Sequence, residues 1–253
     1  MAGYKRVLLK LSGEALAGDN KTGFDEATCR KVALQIKELC DNGTEIAIVI
    51  GGGNFWRGRT SENIDRTKAD QIGMLATVMN CIYMSEICRS VGIKTDILTP
   101  FACGSFTSLF SKDKVMESFE AGKIVFLAGG TGHPYFSTDT ATALRAIEID
   151  ADVILAAKSI DGVYSADPMV DKNAVKYDTL AIGTIVDNKL GVIDLAAAVL
   201  CMENKMPMLI FGLNEENSII NAVNGKSNGT LITVWLTEHL SQSEIDFNWD
   251  NYE

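Results

Sequence analysis

The chain contains no Cys-x-x-Cys pair, only two histidines (His133 and His239), and no apolar run approaching the roughly 18 residues of a membrane span. Its six cysteines, Cys29, Cys40, Cys81, Cys88, Cys103 and Cys201, are scattered, so free thiols in a reducing compartment are expected rather than a structural zinc site. Basic charge is also in short supply. Lys and Arg total 23 against 33 Asp and Glu, a formal net charge of −10, which argues against general nucleic-acid binding. Met1 to Arg6 holds no apolar segment of the kind that opens a secretory signal. A cytoplasmic protein with no membrane and no nucleic-acid partner is therefore expected. Two phosphate-binding motifs are missing as well. Gly225-Lys226-Ser227 resembles the end of a P-loop, but Ile220 occupies the position where that loop needs its first glycine. No Gly-x-Gly-x-x-Gly opens a helix.

What the chain does have is three glycine-rich turns, each just after an apolar run. They are Lys10-Leu11-Ser12-Gly13, Gly51-Gly52-Gly53-Asn54-Phe55-Trp56-Arg57-Gly58, and Gly129-Gly130-Thr131-Gly132. Glycine lets backbone N–H groups approach a ligand closely, so three such turns in an acidic chain point to several phosphates held by local donors. The runs Val7–Leu11, Ile46–Ile50, Thr95–Leu98, Ile124–Ala128, Val153–Ala157 and Met208–Phe211 suit strands buried on both faces. Helical spacing marks Cys29 to Cys40, capped by Asp25 and followed by Gly43. It also marks Ala69 to Val91, Asp139 to Ile149 and Asp194 to Asn204. This alternation predicts a three-layer α/β/α sandwich with a mostly parallel central sheet, whose ligands gather beyond the carboxyl ends of the strands. A single domain over residues 1–237 is expected, with an N-terminal lobe to about residue 150 and a C-terminal lobe after it. Residues 238–253 carry five carboxylates and no Lys or Arg, and read as an acidic tail.

Individual residues carry both a chemical and a structural reading. Lys10 ends the first strand before a glycine turn, which suits a phosphate-binding lysine; the alternative is a solvated edge charge. Arg57 could grip phosphate oxygens with its planar fork, or be a surface arginine in a loop. Asp70 could accept from a sugar hydroxyl, or act as a helix-dipole partner. In Thr131-Gly132-His133-Pro134-Tyr135-Phe136-Ser137-Thr138-Asp139, hydroxyls and backbone can wrap a phosphate and aromatics can flank a base. Thr138 or Asp139 would also serve as the N-cap of the following helix, and His133 reads as a packing residue rather than a base. Asp161 to Pro168 reads as two turns that could bring Tyr164 and Asp167 to a nucleotide.

Taken in order, Lys10 to Leu16, the Gly51–Gly58 turn, Gly73-Met74-Leu75-Ala76-Thr77-Val78-Met79-Asn80, Gly130-Thr131-Gly132, Thr138-Asp139 and Asp161 to Pro168 resemble the bacterial UMP (uridylate) kinases of the amino acid kinase superfamily. The likeness runs from about Tyr4 to Thr233. It implies ATP-dependent phosphorylation of UMP to UDP in pyrimidine nucleotide synthesis, with Mg²⁺ accompanying ATP. By position, Lys10, Leu11, Ser12, Gly13, Gly53, Arg57, Lys158, Tyr164 and Asp167 would meet ATP. Gly52, Asp70 and Thr131 through Thr138 would hold UMP. Lys10, Arg57 and Asp139 would be catalytic, with Asp139 orienting Lys10. The resemblance further implies a homohexamer, GTP as activator, UTP as inhibitor, and a GTP-responsive segment at Gly18-Asp19-Asn20-Lys21-Thr22-Gly23. His133 stands where the family usually has Asn. Two alternatives stay open on the residues alone: a carboxylate or carbamate kinase such as acetylglutamate kinase, and a non-catalytic nucleotide-binding protein of the same fold.

Overall fold

The computed structural model describes residues 3–56, 64–187 and 191–234. Eleven strands and eight α-helices alternate along the described residues: β1 (Arg6–Leu11), α1 (Gly13–Ala17), α2 (Glu26–Asp41), β2 (Glu45–Ile50), α3 (Arg66–Ser90), β3 (Lys94–Thr99), β4 (Ser108–Leu109), α4 (Lys112–Glu120), β5 (Lys123–Leu127), α5 (Thr138–Glu148), β6 (Val153–Lys158), β7 (Val163–Tyr164), β8 (Lys176–Tyr177), β9 (Thr179–Ala181), α6 (Ile182–Asp187), α7 (Leu195–Glu203), β10 (Met208–Gly212), α8 (Ser218–Val223) and β11 (Thr230–Thr233). Nine strands form one sheet in the order β4-β3-β5-β2-β1-β6-β10-β11-β9. Every pairing in it is parallel except β10 with β11. Strands β7 and β8 make a separate antiparallel hairpin.

Strand alternation sorts the apolar side chains into two layers. Val7, Leu9 and Leu11 of β1, with Ile46, Ile48 and Ile50 of β2, pack against α2, α3 and α8. Leu8, Ala47 and Val49 face the other way, against the layer built from α4, α5, α6 and α7. The predicted three-layer sandwich is thus the observed one. The same alternation assigns Lys10 to the face of Leu8, and Lys158 to the face of Ile154 and Ala156. Both lysines end central strands, and both turn toward the α5–α7 layer.

All six anticipated strands form. The four anticipated helices form too, with α3 beginning at Arg66, three residues before the expected start. Asp25 caps α2 by accepting from Thr28 N, and Gly43 lies just past its end at φ 84°. Helix α5 differs from expectation at its start. Neither Thr138 nor Asp139 is the cap; Ser137 is, its side chain accepting from the amides of Asp139 and Thr140 at 3.0 and 3.2 Å. That shift places Asp139 inside the first turn, where its carboxylate points out toward Lys10 instead of back to the helix amides. The stretch expected to be two turns at Asp161 to Pro168 contains strand β7, because Val163 and Tyr164 pair with Tyr177 and Lys176.

Asp194, expected only as the start of α7, joins two helix N-termini. Its carboxylate accepts from Ala197 N at 2.9 Å in its own helix, and from Thr140 N and Thr140 Oγ1 at 3.1 and 3.0 Å in α5. It also accepts from the Ser137 hydroxyl. Losing one N-cap costs about 1 kcal/mol, so Asp194→Ala should destabilise the protein by about 2 kcal/mol. For a chain of this size, that lowers Tm by about 4–8 °C in calorimetry. An unchanged Tm would mean that water replaces the carboxylate at both helix ends.

Burial pushes the Cys88 and Cys201 thiols up to about 12 and those of Cys29 and Cys40 to about 11, and all six cysteines are free. They behave as small apolar core groups.

Candidate active site

The centre of the site is an ion pair at the carboxyl end of the sheet. Lys10 Nζ lies 3.1 Å from Asp139 Oδ1, both side chains being mostly shielded from solvent. Lys158, at the end of the neighbouring strand β6, donates to the carbonyl of Val192. Burial lowers the Lys158 ammonium below the ordinary lysine value of 10.5; Asp139 opposes that shift and Lys10 adds to it. One carboxylate therefore serves two lysines. Such a pair of cations is short of negative charge, the electrostatic setting that an added polyanion would complete.

The sign of the Lys158 shift has a measurable consequence. The folded protein holds this proton less tightly than the unfolded chain, so the side chain's contribution to stability is present above 10.5 and is lost as pH falls through the lowered folded value. Relative to Lys158→Met, the ligand-free protein should gain stability as pH rises through the window just below 10.5. Parallel denaturation curves for the two proteins across that window would contradict the assignment.

Two cavities open near this pair, one walled by Thr138, next to Asp139, the other by Ser12 and Lys158. The first, of about 220 Å³, lies between the second and third glycine turns, with Gly52, Gly53, Asp70, Thr131, His133, Phe136, Ser137 and Thr138 in its wall. Asp70 is tied down from two directions: its Oδ2 accepts from Arg66 Nε at 2.8 Å and from the amide of Tyr135 at 2.8 Å. Tyr135 has a positive φ of 72°, and its ring lies under the Arg66 guanidinium with 5.3 Å from Cζ to the centroid. The Asp70 carboxylate thus fixes the turn that carries His133, Pro134, Tyr135 and Phe136. Gly132 has φ 84°, and a Cβ there would meet Pro100 at 2.9 Å, so its role is to let the turn pass close to the β3 end. His133 is exposed, and its amide bonds Thr131 Oγ1 at 3.2 Å.

The second cavity, of about 470 Å³, opens beside Ser12 of the first glycine turn. Ser12, Glu14, Gly18, Lys158 and Asn214 are among its walls. Leu11 is fully buried in the core, and its carbonyl accepts from Gly51 N at 3.0 Å, so it offers a ligand no side chain. Tyr164 and Asp167 lie off this cavity's wall. The Tyr164 hydroxyl donates to Asp161 at 2.8 Å, Lys176 pairs with the same carboxylate at 2.8 Å, and Asp167 accepts from Met169 N at 2.9 Å to close its turn. This hairpin abuts the end of β10, where a Cβ on Gly212 would lie 3.3 Å from Asp161. A cavity of about 510 Å³ between α2 and α8 is larger, but Lys158 is not in its wall, so volume alone does not mark the site.

The segment Gly18 to Gly23 begins with a single 3-10 turn, Gly18–Asn20, and continues through Lys21 and Gly23 at positive φ. Gly18 borders the second cavity, and Gly23 reaches the second glycine turn through Asn54. Asp19, Asn20 and Thr22 lie along the same segment. Arg57, the expected catalytic arginine, lies outside the described residues, as does the 238–253 tail.

Three wall residues carry roles that the sequence alone does not assign, although Trp56 and Thr77 stand in the quoted runs. Arg66 supplies a cation to the first cavity, Trp56 braces it by donating from Nε1 to Ala69 O at 2.8 Å, and Thr77 accepts from Gly129 N at 2.8 Å. The spacing of Arg66 and Asp70, four residues apart at a helix start, was the one available sign of an ion pair there.

The amino acid kinase family model matches residues 5–212. Among solved structures, the UMP kinase of Bacillus anthracis is 34% identical, with a TM-score of 0.89 over 92% of this chain and 98% of that one. The UMP kinase of Ureaplasma parvum is 30% identical, with a TM-score of 0.86 over 91% and 99% of the two chains. The uridylate kinase of Archaeoglobus fulgidus is 29% identical, with a TM-score of 0.69 over 89% and 99%. With two lysines and one aspartate gathered at the sheet end, the chain belongs to the amino acid kinase family and, within it, to the UMP kinases.

Proposed function

We propose that this enzyme transfers the γ-phosphoryl of ATP to UMP, giving ADP and UDP as a step of pyrimidine nucleotide synthesis. The observation that supports it most is the Lys10–Asp139 pair, with Thr138 beside it in the wall of one cavity and Ser12 and Lys158 in the wall of another, on a chain with UMP-kinase relatives over nine-tenths of its length. UMP occupies the cavity of Gly52, Asp70 and Thr131 to Thr138, in the lobe before about residue 150. ATP lies along Lys10 to Gly13, Gly53 and Lys158, with its base toward Tyr164 and Asp167 in the lobe from 151 to 237. Arg57 steadies the phosphates between them.

Joining two polyanions makes charge repulsion the chief obstacle, so the protein must mainly position and neutralise. The UMP phosphate has a second pKa of about 6 and is largely a dianion at neutral pH, hence already nucleophilic. No general base is required, which suits a site where, among the described residues, the one histidine, His133, stands exposed in a turn. Lys10 neutralises charge on the transferring group, and Asp139 holds that ammonium in place. Mg²⁺ enters with ATP. Among the described residues no three His, Cys, Asp or Glu gather into a metal site, and Asp139 is engaged by Lys10. That donor set fits an ion held by phosphate oxygens and water, which would supply further charge screening.

As in the family, the enzyme is a cytoplasmic homohexamer, activated by GTP through Gly18 to Gly23 and inhibited by UTP. Supporting assembly, α3 shows a partly exposed apolar stripe of Ile72, Leu75, Met79 and Ile82 at heptad-like spacing, suited to packing against another copy. Among the described residues no helix is long and apolar enough to cross a membrane. The test of the reaction is ADP release from ATP with UMP, CMP, dTMP and N-acetylglutamate as acceptors. UMP should be the preferred acceptor by far. Turnover with N-acetylglutamate alone would assign a carboxylate kinase, and no turnover with any acceptor would leave a binding protein.

A further inference from the structure

The three glycine turns are held by one face of α3. Thr77 and Asn80, three residues apart, lie on neighbouring positions of that helix. Thr77 Oγ1 accepts from Gly129 N at 2.8 Å while donating to Met74 O at 2.6 Å, which secures the third turn. Asn80 is fully buried, and its Nδ2 donates to Gly51 O at 2.7 Å and to Asn54 Oδ1 at 2.8 Å. Asn54, 1% exposed, returns the bond from its own Nδ2 to Asn80 Oδ1 at 3.0 Å and also donates to Gly23 O at 2.8 Å. The first turn rests directly on this amide pair. A Cβ added to Gly13 would lie 2.4 Å from both Asn54 Oδ1 and Gly51 O, and 3.0 Å from Asn80 Nδ2.

Two primary amides in an apolar interior are costly unless nearly every polar atom is bonded, and apolar side chains of like volume would fill the space as well. Here the amides bond each other and two backbone carbonyls, Gly51 O and Gly23 O. Neither lines the two cavities, and their amides are engaged with each other and with backbone carbonyls. Their effect is geometric: they fix the Gly51–Gly53 turn, beside UMP, against Gly13, beside the ATP phosphates. We propose that Asn54 and Asn80 are positioning residues for phosphoryl transfer, setting the span between donor and acceptor phosphates. This rests on the UMP-kinase reading above. Because Asn54 also holds Gly23, the Gly18–Gly23 segment is mechanically joined to the same turn.

The test is steady-state kinetics of the full chain with Asn80→Asp, which keeps the shape and the acceptor for Asn54 Nδ2 but replaces the donor facing Gly51 O. A misplacement of 1 Å can cost about a hundredfold in rate, so kcat should fall at least about 30-fold. KM for ATP and for UMP should each stay within about threefold, since each cavity keeps its own walls. Asn54→Ser should behave alike, and the double variant should be no worse than the poorer single by more than about twofold. A kcat within twofold of wild type in folded Asn80→Asp and Asn54→Ser, with only a lower Tm, would overturn the proposal. Failure of both variants to fold would assign the pair to core stability and overturn it equally. Absence of UMP-dependent ADP release in the wild-type protein is a separate result, and it would sink the kinase reading itself.

Discussion

Lys10→Ala is expected to lower kcat about a thousandfold while leaving KM for ATP within about fivefold. The reasoning starts from strand geometry. Lys10 shares its face of the sheet with Leu8, so its stem runs toward α5 and its ammonium stops at Asp139, 3.1 Å away. Held there before substrate arrives, it needs no reorganisation when negative charge shifts on the transferring phosphoryl group. Preorganised donors of this kind are worth about 10²–10³ in kcat each. Ground-state binding suffers less because Lys158 and the glycine turns remain. A mutant with normal kcat and only a raised KM would show that Lys10 binds ATP equally in ground and transition states. Single-turnover measurements separate chemistry from product release in the same variant.

Gly13→Ala should be nearly as damaging, for a steric reason. Gly13 has no positive φ to protect; it is glycine because the Gly51 carbonyl and the Asn54 amide occupy the space of a side chain. A methyl group would force the first and second turns apart. Overpacking of this sort costs about 1–3 kcal/mol, or about 2–12 °C in Tm for a chain of this size. The displaced turns should also lower kcat about a hundredfold. Gly183→Ala is the matched control. Gly183 sits in helix α6 with open space around its Cα, so alanine there should stabilise by about 0.4–1 kcal/mol. Equal effects from both substitutions would remove the steric argument.

These residues also show what could be read before the structure. The strands were legible because continuous Val, Ile and Leu runs have few alternatives to burial on both faces, and β1, β2 and β6 lie together at the sheet centre as such runs must. Lys10 and Asp139 were legible from position, one at a strand end and one at a helix start. The roles of Thr77 and Asn80 were not, although both stand in the quoted Gly73–Asn80 run, because their partners lie in other elements: Gly129, for example, is 52 residues from Thr77. A buried polar residue in a helix looks, in sequence, like any weak helix former. Asp194 was anticipated as a helix start, yet its second duty toward α5 depends on a contact 54 residues away. The N-cap of α5 was misplaced because Ser137, Thr138 and Asp139 are all good capping residues. Only the demand of Lys10 for a carboxylate distinguishes them.

The central claim is that donor and acceptor phosphates meet beside Lys10. A crystal structure of the enzyme with UMP and a non-hydrolysable ATP analogue tests it most directly. The account predicts a UMP phosphate oxygen about 3–3.5 Å from the analogue's terminal phosphorus, roughly in line with the bridging atom and with Lys10 Nζ against the terminal group. Well-ordered UMP in the α2–α8 groove, or an analogue whose terminal phosphate points away from Lys10, would contradict it.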